Sequence, residues 1–255
     1  MRLRNDQARQ TIPSQQTLPL VCLIAAALSL PLGLTGCSEP SSTTSGNSND
    51  GRDGGKSDQA AQTKSSEDMF VTAAEEKRFV TDSPDTKVAF PEAEFVKGRK
   101  LIDQLNVAEA EKVLMSKLDD AVKSAAGETK LGQYCARIST ALHMEGKEKE
   151  SLKYAILAGH IFYKQPAEKR PLPRWFFNVH LHQGLGYKKL RMFPEAEKQL
   201  RKAINFASSA PAGQVDWNWH RLCLVELIDT LGHEKKTNEA KVVKGELKAL
   251  EDSHR

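Results

Sequence analysis

The chain lacks the patterns that mark most catalytic and metal sites. Its 255 residues include four cysteines but no Cys-x-x-Cys pair, no His-Glu-x-x-His motif, no Gly-x-Ser-x-Gly motif and no phosphate-binding glycine loop. His180 and His182 lie about 200° apart around a predicted helix, so they cannot share a metal ion. The sequence therefore predicts no catalytic residue, no metal and no cofactor, and it favours a non-enzymatic protein.

A strong charge of either sign is also missing. The formal net charge is +4, of which Arg2, Arg4 and Arg9 against Asp6 contribute +2 within the first 36 residues. Nucleic-acid-binding proteins usually concentrate Lys and Arg in a dense patch or stripe. The mild excess of positive charge outside this N-terminal segment therefore predicts no nucleic-acid partner.

The N-terminal segment has the layout of an export signal. Behind its arginines, Leu20 to Leu34 is an apolar run that Pro31 and Gly33 interrupt, and it is too short for a comfortable membrane span. The run ends in Leu34-Thr35-Gly36-Cys37, which resembles the lipobox of bacterial lipoproteins. An ordinary signal peptide that happens to precede a buried or paired cysteine is the alternative.

The lipobox resemblance implies that residues 1–36 are a lipoprotein signal peptide and that Cys37 becomes the lipidated N-terminus. The mature chain is then expected in the cell envelope, anchored by its lipid to a membrane outside the cytoplasm. Ser38, a non-aspartate residue after the cysteine, favours the outer membrane in Gram-negative bacteria. Two or more acyl chains hold a protein on a membrane firmly, whereas one binds only marginally.

Residues 37–68 are predicted to form a lipidated, disordered tether. From Ser38 to Asp68 the chain has no aromatic residue and no Val, Ile or Leu, so it cannot bury enough apolar surface to offset its conformational entropy. Its root-mean-square reach is on the order of 30 Å. Residues 69–90 are ambiguous: they form either a short helix that folds back on the domain or a docking segment for a partner.

A repeat starts near residue 91. Ala110, Ser151, Ala196 and Ala240 each stand near the start of a helical run, and they lie 41, 45 and 44 residues apart. Pro-rich stretches between these runs, such as 165–173, mark where one helical hairpin ends and the next begins. The pattern predicts an all-α solenoid of helical hairpins over residues 91–255.

The repeat resembles the tetratricopeptide (TPR) family, whose unit has small residues at positions 8, 20 and 27 and large apolar residues at 4, 7, 11, 17 and 24. The third of about four units matches best, through Gly184, Tyr187, Phe193, Ala196, Leu200 and Ala203. Two helices approach closely only where small side chains face each other. Each unit is longer than the 34 residues typical of the family. Cys135 and Cys223 share position 4 in units two and four, so both are predicted to be buried free thiols.

The resemblance implies a ligand groove along the first helices of the hairpins. In the two best-matched units its polar lining is Gln133, Thr140, His143, Asn178, Lys188 and Lys189. The two lysines form a basic corner that would suit an extended peptide with an acidic end. Trp175, Trp217 and Trp219 begin first helices, where they either fill gaps between units or form binding hot spots.

Three functions remain open on the sequence alone. The first is a membrane-anchored, TPR-like adaptor that binds an unidentified protein or peptide at the cell envelope. The second is a structural subunit of an envelope biogenesis or export assembly, engaged through the convex face or the aromatic residues. The third is an enzyme with an unrecognised site.

Overall fold

Helices make up all the regular structure between residues 66 and 254, the range that the computed structural model describes, and no strand occurs there. The α-helices in this range are α1 Ala73–Glu76, α2 Glu92–Asp103, α3 Val107–Ser116, α4 Leu118–Ala125, α5 Thr129–Met144, α6 Glu148–Lys164, α7 Pro173–Lys189, α8 Phe193–Ser209, α9 Trp217–His233 and α10 Thr237–Asp252. The prediction of an all-α domain is confirmed. Cys37, the export signal and most of the tether lie outside the described residues.

Eight of these helices pack as consecutive pairs: α2 with α3, α5 with α6, α7 with α8, and α9 with α10. We call the earlier member of each pair its first helix and the later member its second helix. Neighbouring pairs then meet through α3 and α5, α6 and α7, and α8 and α9. This serial packing is compatible with an all-α helical repeat.

The same turn joins the two helices of every pair. Each link has three residues, and its middle residue, Leu105, Gly146, Arg191 or Lys235, has a positive φ of 60° to 75°. The residue after it donates its backbone N–H, over 2.9 Å in all four links, to the carbonyl five positions earlier. This is the Schellman arrangement, which satisfies the last carbonyls of the first helix and reverses the chain.

Small residues sit where the helices of a pair approach most closely. A Cβ on Gly98 would lie 2.6 Å from Leu114, and a Cβ on Gly184 would lie 2.7 Å from Leu200. Where the first helix carries the larger Ser139 instead, its hydroxyl lies 3.1 Å from that of Ser151 on the second helix. The spacing of small residues in the sequence thus reflects close helix packing.

Helix α4 is an element that the sequence interpretation missed, because it assigned the residues between the first two pairs to a connection. Its buried residues are Leu118, Ala121, Val122 and Ala125, an i, i+3, i+4, i+7 pattern. That pattern is typical of an amphipathic helix.

The segment 66–81, which we call the strap, folds onto the domain. Val71, Phe79 and Val80 are buried, and the ring of Phe70 packs edge-on against Tyr187. Residues 66–81 therefore lie against the domain. Glu67 belongs to a helical turn and lies 3.0 Å from His160 on α6.

The strap is held mainly by α6. Glu67 and Glu76 lie 3.0 and 3.3 Å from the two ring nitrogens of His160, and Lys164 donates to the carbonyl of Val80 over 3.0 Å. Glu75 pairs with Lys153 on the same helix. The strap therefore packs on α6, which is the second helix of the pair formed by α5 and α6.

Cys135 and Cys223 are free and fully buried, as predicted, and they belong to two different apolar clusters of the core. Burial raises the pKa of both thiols, so they behave as small apolar residues. Among residues 66–254, no helix combines the length and the apolar character that a membrane crossing requires.

Candidate functional site

Three first helices meet around a small cavity that we call the arginine pocket. Its lining residues are Phe95 and Arg99 from α2, Arg137 from α5, and Arg174, Trp175 and Asn178 from α7. The cavity volume is about 150 Å³. Helical periodicity explains the lining, since Phe95 and Arg99, like Arg174 and Asn178, are four residues apart and so share one helix face.

The positive charge of the pocket has no counter-charge in contact with it. Arg99, Arg137 and Arg174 form no ion pair within residues 66–254, and the buried Nε of Arg137 has no hydrogen-bond partner there. Burial lowers the pKa of Arg137, the two neighbouring arginines lower it further, and Asp103 partly opposes them. A guanidinium nevertheless stays protonated at neutral pH. The pocket is therefore a site of net positive charge that forms no ion pair among the described residues.

Aromatic rings form two walls of this pocket. The guanidinium carbon of Arg137 lies 5.0 Å from the centroid of the Trp175 ring, and that of Arg174 lies 6.0 Å from it. Phe95 is held in place by stacking on Tyr134, with ring centroids 5.8 Å apart. Trp175 is only 7% exposed, so the cations are stacked on a ring that is fixed by the core.

Thr140 and His143, two of the predicted groove residues, meet His182 where α5 packs on α7. Thr140 Oγ1 donates to the carbonyl of Ala136 and lies 3.0 Å from His182 Nε2. Because the hydroxyl has a single proton, we infer that Nε2 donates to Thr140, which leaves the buried Nδ1 as an acceptor without a partner. Burial, followed by the charges of His143 and Arg137, lowers the pKa of His182 to about 3.

The prediction of a basic corner is wrong for Lys188. Lys188 Nζ lies 2.5 Å from Glu226 and 2.6 Å from Asp229 on α9. Burial acts to lower the pKa of Lys188, but the hydrogen bonds to these two carboxylates outweigh it and raise the pKa. Lys188 is thus neutralised within the protein and offers no free charge to an acidic peptide, whereas Lys189 is exposed.

The remaining predicted site residues are spread over the domain. Asn178 lines the arginine pocket, whereas Gln133 is half-buried on α5 and is not part of its lining. Trp175 is a wall of the pocket, but Trp217 and Trp219 are 36% and 40% exposed at the start of α9. Trp175 is therefore buried, whereas Trp217 and Trp219 are partly exposed to solvent.

His180 and His182 point to different neighbours. His180 Nε2 lies 2.6 Å from the hydroxyl of Tyr163, and its Nδ1 lies 2.8 Å from Gln199 Oε1 on α8. His182 faces α5 instead. No group of three His, Cys, Asp or Glu side chains that could hold a metal ion occurs in the described part of the chain.

Sequence reasoning missed Arg99 and Arg137. Arg99 directly follows Gly98, a small residue of the repeat pattern. In the TPR pattern the next position lines the expected groove, so extending that pattern to the first pair of helices would have identified Arg99. Arg137 does not occupy a groove position of the TPR pattern. Only the packing of α5 between α2 and α7 brings it into the pocket.

Comparison with known protein families and with curated proteins finds no match to this chain.

Proposed function

We propose that this protein is a lipid-anchored, TPR-like adaptor of four helical-hairpin units that holds a protein or peptide partner at the cell envelope. Its lipid is attached at Cys37 and its disordered linker ends near residue 65. Binding takes place on the face formed by the first helices. The observation that carries the proposal is the arginine pocket, where three helix pairs converge on positive charge that forms no ion pair within residues 66–254.

The anchor is supported by the sequence alone. A positive segment, an interrupted apolar run and Leu34-Thr35-Gly36-Cys37 occur in the order that a lipoprotein signal requires, and a Ser- and Gly-rich spacer follows at once. A lipid anchor needs such a spacer if the domain is to reach partners above the membrane. These residues lie outside the described part of the chain.

The repeat assignment is supported by recurrence at two levels. The four three-residue links share one geometry, and the small residues Ala110, Ser151, Ala196 and Ala240 each stand at the fourth position of a second helix and are buried. Non-equivalent helices would have no reason to repeat both features. Arrays of this kind often bind extended segments along a continuous face.

Labelling with a palmitate analogue tests the anchor. The wild-type chain, expressed in a Gram-negative bacterium, should take up the label and fractionate with the outer membrane, whereas Cys37→Ser should do neither. Cys22→Ser is the matched control, because it removes a cysteine from the signal segment without touching the lipobox, and it should keep the label. Labelling that persists in Cys37→Ser would overturn the lipoprotein assignment.

Site-specific photocrosslinking tests the binding face. A photoreactive amino acid replaces Asn178 in the pocket or, as the control, the exposed Lys198 on the second helix α8. We expect a discrete crosslinked product in cells from position 178 and none from position 198, with loss of the product when Arg99→Gln is added. Products from position 198 alone would overturn the groove as the binding face.

The exposure of Trp217 and Trp219 favours the structural subunit of an envelope assembly as a second candidate. Large exposed aromatic residues are common at protein interfaces, and these two lie on the last helix pair. If this candidate is correct, Trp219→Ala should abolish assembly into a larger complex in native electrophoresis while Arg99→Gln leaves it intact. The adaptor function requires instead that Arg99→Gln abolishes the complex and that Trp219→Ala leaves it intact.

A further inference from the structure

Three lysines that link neighbouring helix pairs each contact carboxylates. Lys147, Lys188 and Lys236 each contact two carboxylates, namely Glu111 and Glu145, Glu226 and Asp229, and Glu197 and Glu234, respectively. The arginine pocket is different, because its three guanidinium groups meet no carboxylate among residues 66–254. Within residues 66–254, these three lysines are each paired twice, whereas the three arginines of the pocket form no ion pair.

The unpaired state of Arg137 is costly for the empty protein. Its buried Nε has lost hydration without gaining a hydrogen bond, and burying an unpaired polar or charged group is unfavourable. Arg99 and Arg174 add like-charge repulsion, as the lowered pKa of Arg137 reflects. A ligand that supplies negative charge would offset the like-charge repulsion among the three arginines.

The shape of the pocket limits the size of that ligand. A cavity of about 150 Å³ holds a single oxyanion group and the first atoms of the chain that bears it, but no folded domain. Guanidinium groups bind carboxylate and phosphate oxygens through paired, charge-assisted hydrogen bonds.

We propose that the arginine pocket is an oxyanion-binding site that takes one carboxylate or phosphate group, held by three guanidinium groups between two aromatic walls. The proposal rests on the proposed function in one respect: it identifies the pocket as the point where the adaptor grips its partner. The Asn178 amide, beside the arginines, gives the site a neutral polar group in addition to its three cations.

Trp175 provides a direct reporter of occupancy. The chain has three tryptophans, at positions 175, 217 and 219, so Trp217→Phe with Trp219→Phe leaves Trp175 as the sole tryptophan, which can be excited selectively over tyrosine. The full chain carrying these two substitutions is purified in detergent and titrated with an acetylated, amidated Gly-Glu-Glu-Gly peptide or with inorganic phosphate. The Gly-Gln-Gln-Gly peptide and sodium chloride of equal ionic strength are the blanks.

We expect a saturable change in Trp175 emission with the glutamate peptide, with phosphate, or with both, and none with the blanks. Saturation by the peptide alone identifies a carboxylate site, and saturation by phosphate alone identifies a phosphate site. No saturable response to either probe would overturn the proposal. So would an equal response to the sodium chloride blank, which would indicate general ionic screening.

Arginine variants then locate the site. Arg99→Gln changes an exposed side chain, so folding should be intact, and it should weaken binding roughly tenfold because one charge-assisted hydrogen bond is lost. Arg137→Gln should weaken it further. Lys189→Gln removes the same charge from the far end of α7 and should leave the affinity within about twofold. Equal losses in Arg99→Gln and Lys189→Gln would contradict the assignment of the pocket.

This experiment separates the two proposals. An oxyanion response from Trp175 without a crosslinked partner at position 178 would leave the binding site standing and overturn the adaptor function. A crosslinked partner at position 178 with no oxyanion response would leave the adaptor function standing and overturn the oxyanion site.

Discussion

The two ends of α7 carry positive charge in opposite ways. At its start, Arg174 joins Arg99 and Arg137 in a cluster without ion pairs among the described residues. Near its end, Lys188 lies within 2.6 Å of two carboxylates on α9. Both ends face a neighbouring first helix, so their difference cannot come from the helix itself.

The comparison shows which charge serves stability and which is left for a ligand. A half-buried lysine that meets two carboxylates links helix pairs and gains nothing from a further anion. A half-buried arginine with an unpartnered Nε contributes little to the empty fold, and it retains its full capacity for an anion. The predictions below test this division.

Replacing Gly184 should have the largest effect on stability, because this residue lies between the two ends of α7 and sets the distance from α7 to α8. An added Cβ would lie 2.7 Å from Leu200, and such overpacking costs roughly 1–3 kcal/mol. Gly184→Ala should lower the free energy of unfolding by about this much in urea denaturation.

The matched control is Gly245→Ala. Gly245 is exposed within α10, and a Cβ there would meet nothing within 4 Å, so alanine should stabilise the helix by about 0.5–1 kcal/mol. If both variants were stabilised, close packing at Gly184 would not determine the spacing of the helices.

Acid should destabilise the domain through His182, which lies between α5 and α7 near Arg137. Its pKa of about 3 in the folded chain is below the usual value near 6.5, so the unfolded chain binds the proton more readily. The stability it contributes is complete above pH 6.5 and is lost as the pH falls toward 3.

When the pH is lowered from 7.5 to 5, protonation of His182 in the unfolded chain should lower the free energy of unfolding by about 2 kcal/mol. The measurement is the difference in stability between wild type and His182→Gln at each pH, which cancels the contribution of other titrating groups. A difference that stays constant over this range would show that His182 is not kept neutral by its surroundings.

Lys188→Met should destabilise the domain by about 1–2 kcal/mol, because it leaves Glu226 and Asp229 without their shared cation. Lys189→Met, its exposed neighbour, should change stability by less than about 0.5 kcal/mol. Thermal and urea unfolding of the two variants measure this contrast. Equal effects would mean that the ion pairs at this end of α7 are not stabilising.

Arg137→Met should have the smallest effect on the empty protein, between no change and a gain of about 1 kcal/mol, since it removes a buried charge that has no partner. The loss of its stacking on Trp175 reduces any gain. The same variant should lose the oxyanion response of Trp175. A loss of stability as large as that of Lys188→Met would show that the fold itself uses the charge of Arg137.

Much of the fold could be predicted from local pattern. The small residues predicted to open second helices, such as Ser151 and Ala196, are buried at the fourth position of α6 and α8. The segment Phe-Pro-Glu-Ala-Glu occurs at 90–94 and at 193–197 and stands at the starts of α2 and α8, because proline and early acidic residues favour a helix start. The missed α4 also follows a helical period, but it lies outside the repeat that guided the interpretation.

The residues of the candidate site were harder to predict from local sequence patterns. Asn178 and Trp175 were found because they occupy expected positions on a first helix. Arg137 was not found, and Lys188 was assigned a free charge that it does not have. Both outcomes depend on residues that lie far away in the sequence, such as Glu226, 38 positions after Lys188.

The sequence by itself determined which segments are helical, where each hairpin turns and where small side chains must stand, because these follow from interactions over a few residues. It also contains the lipobox-like segment around Cys37. Only the tertiary structure decided which cations are neutralised and which remain free, because a charge is paired or left unpaired by the helix that packs beside it. The arginine pocket exists for that reason: α2, α5 and α7 bring together three cations that are remote in sequence, and none of the three forms an ion pair within residues 66–254.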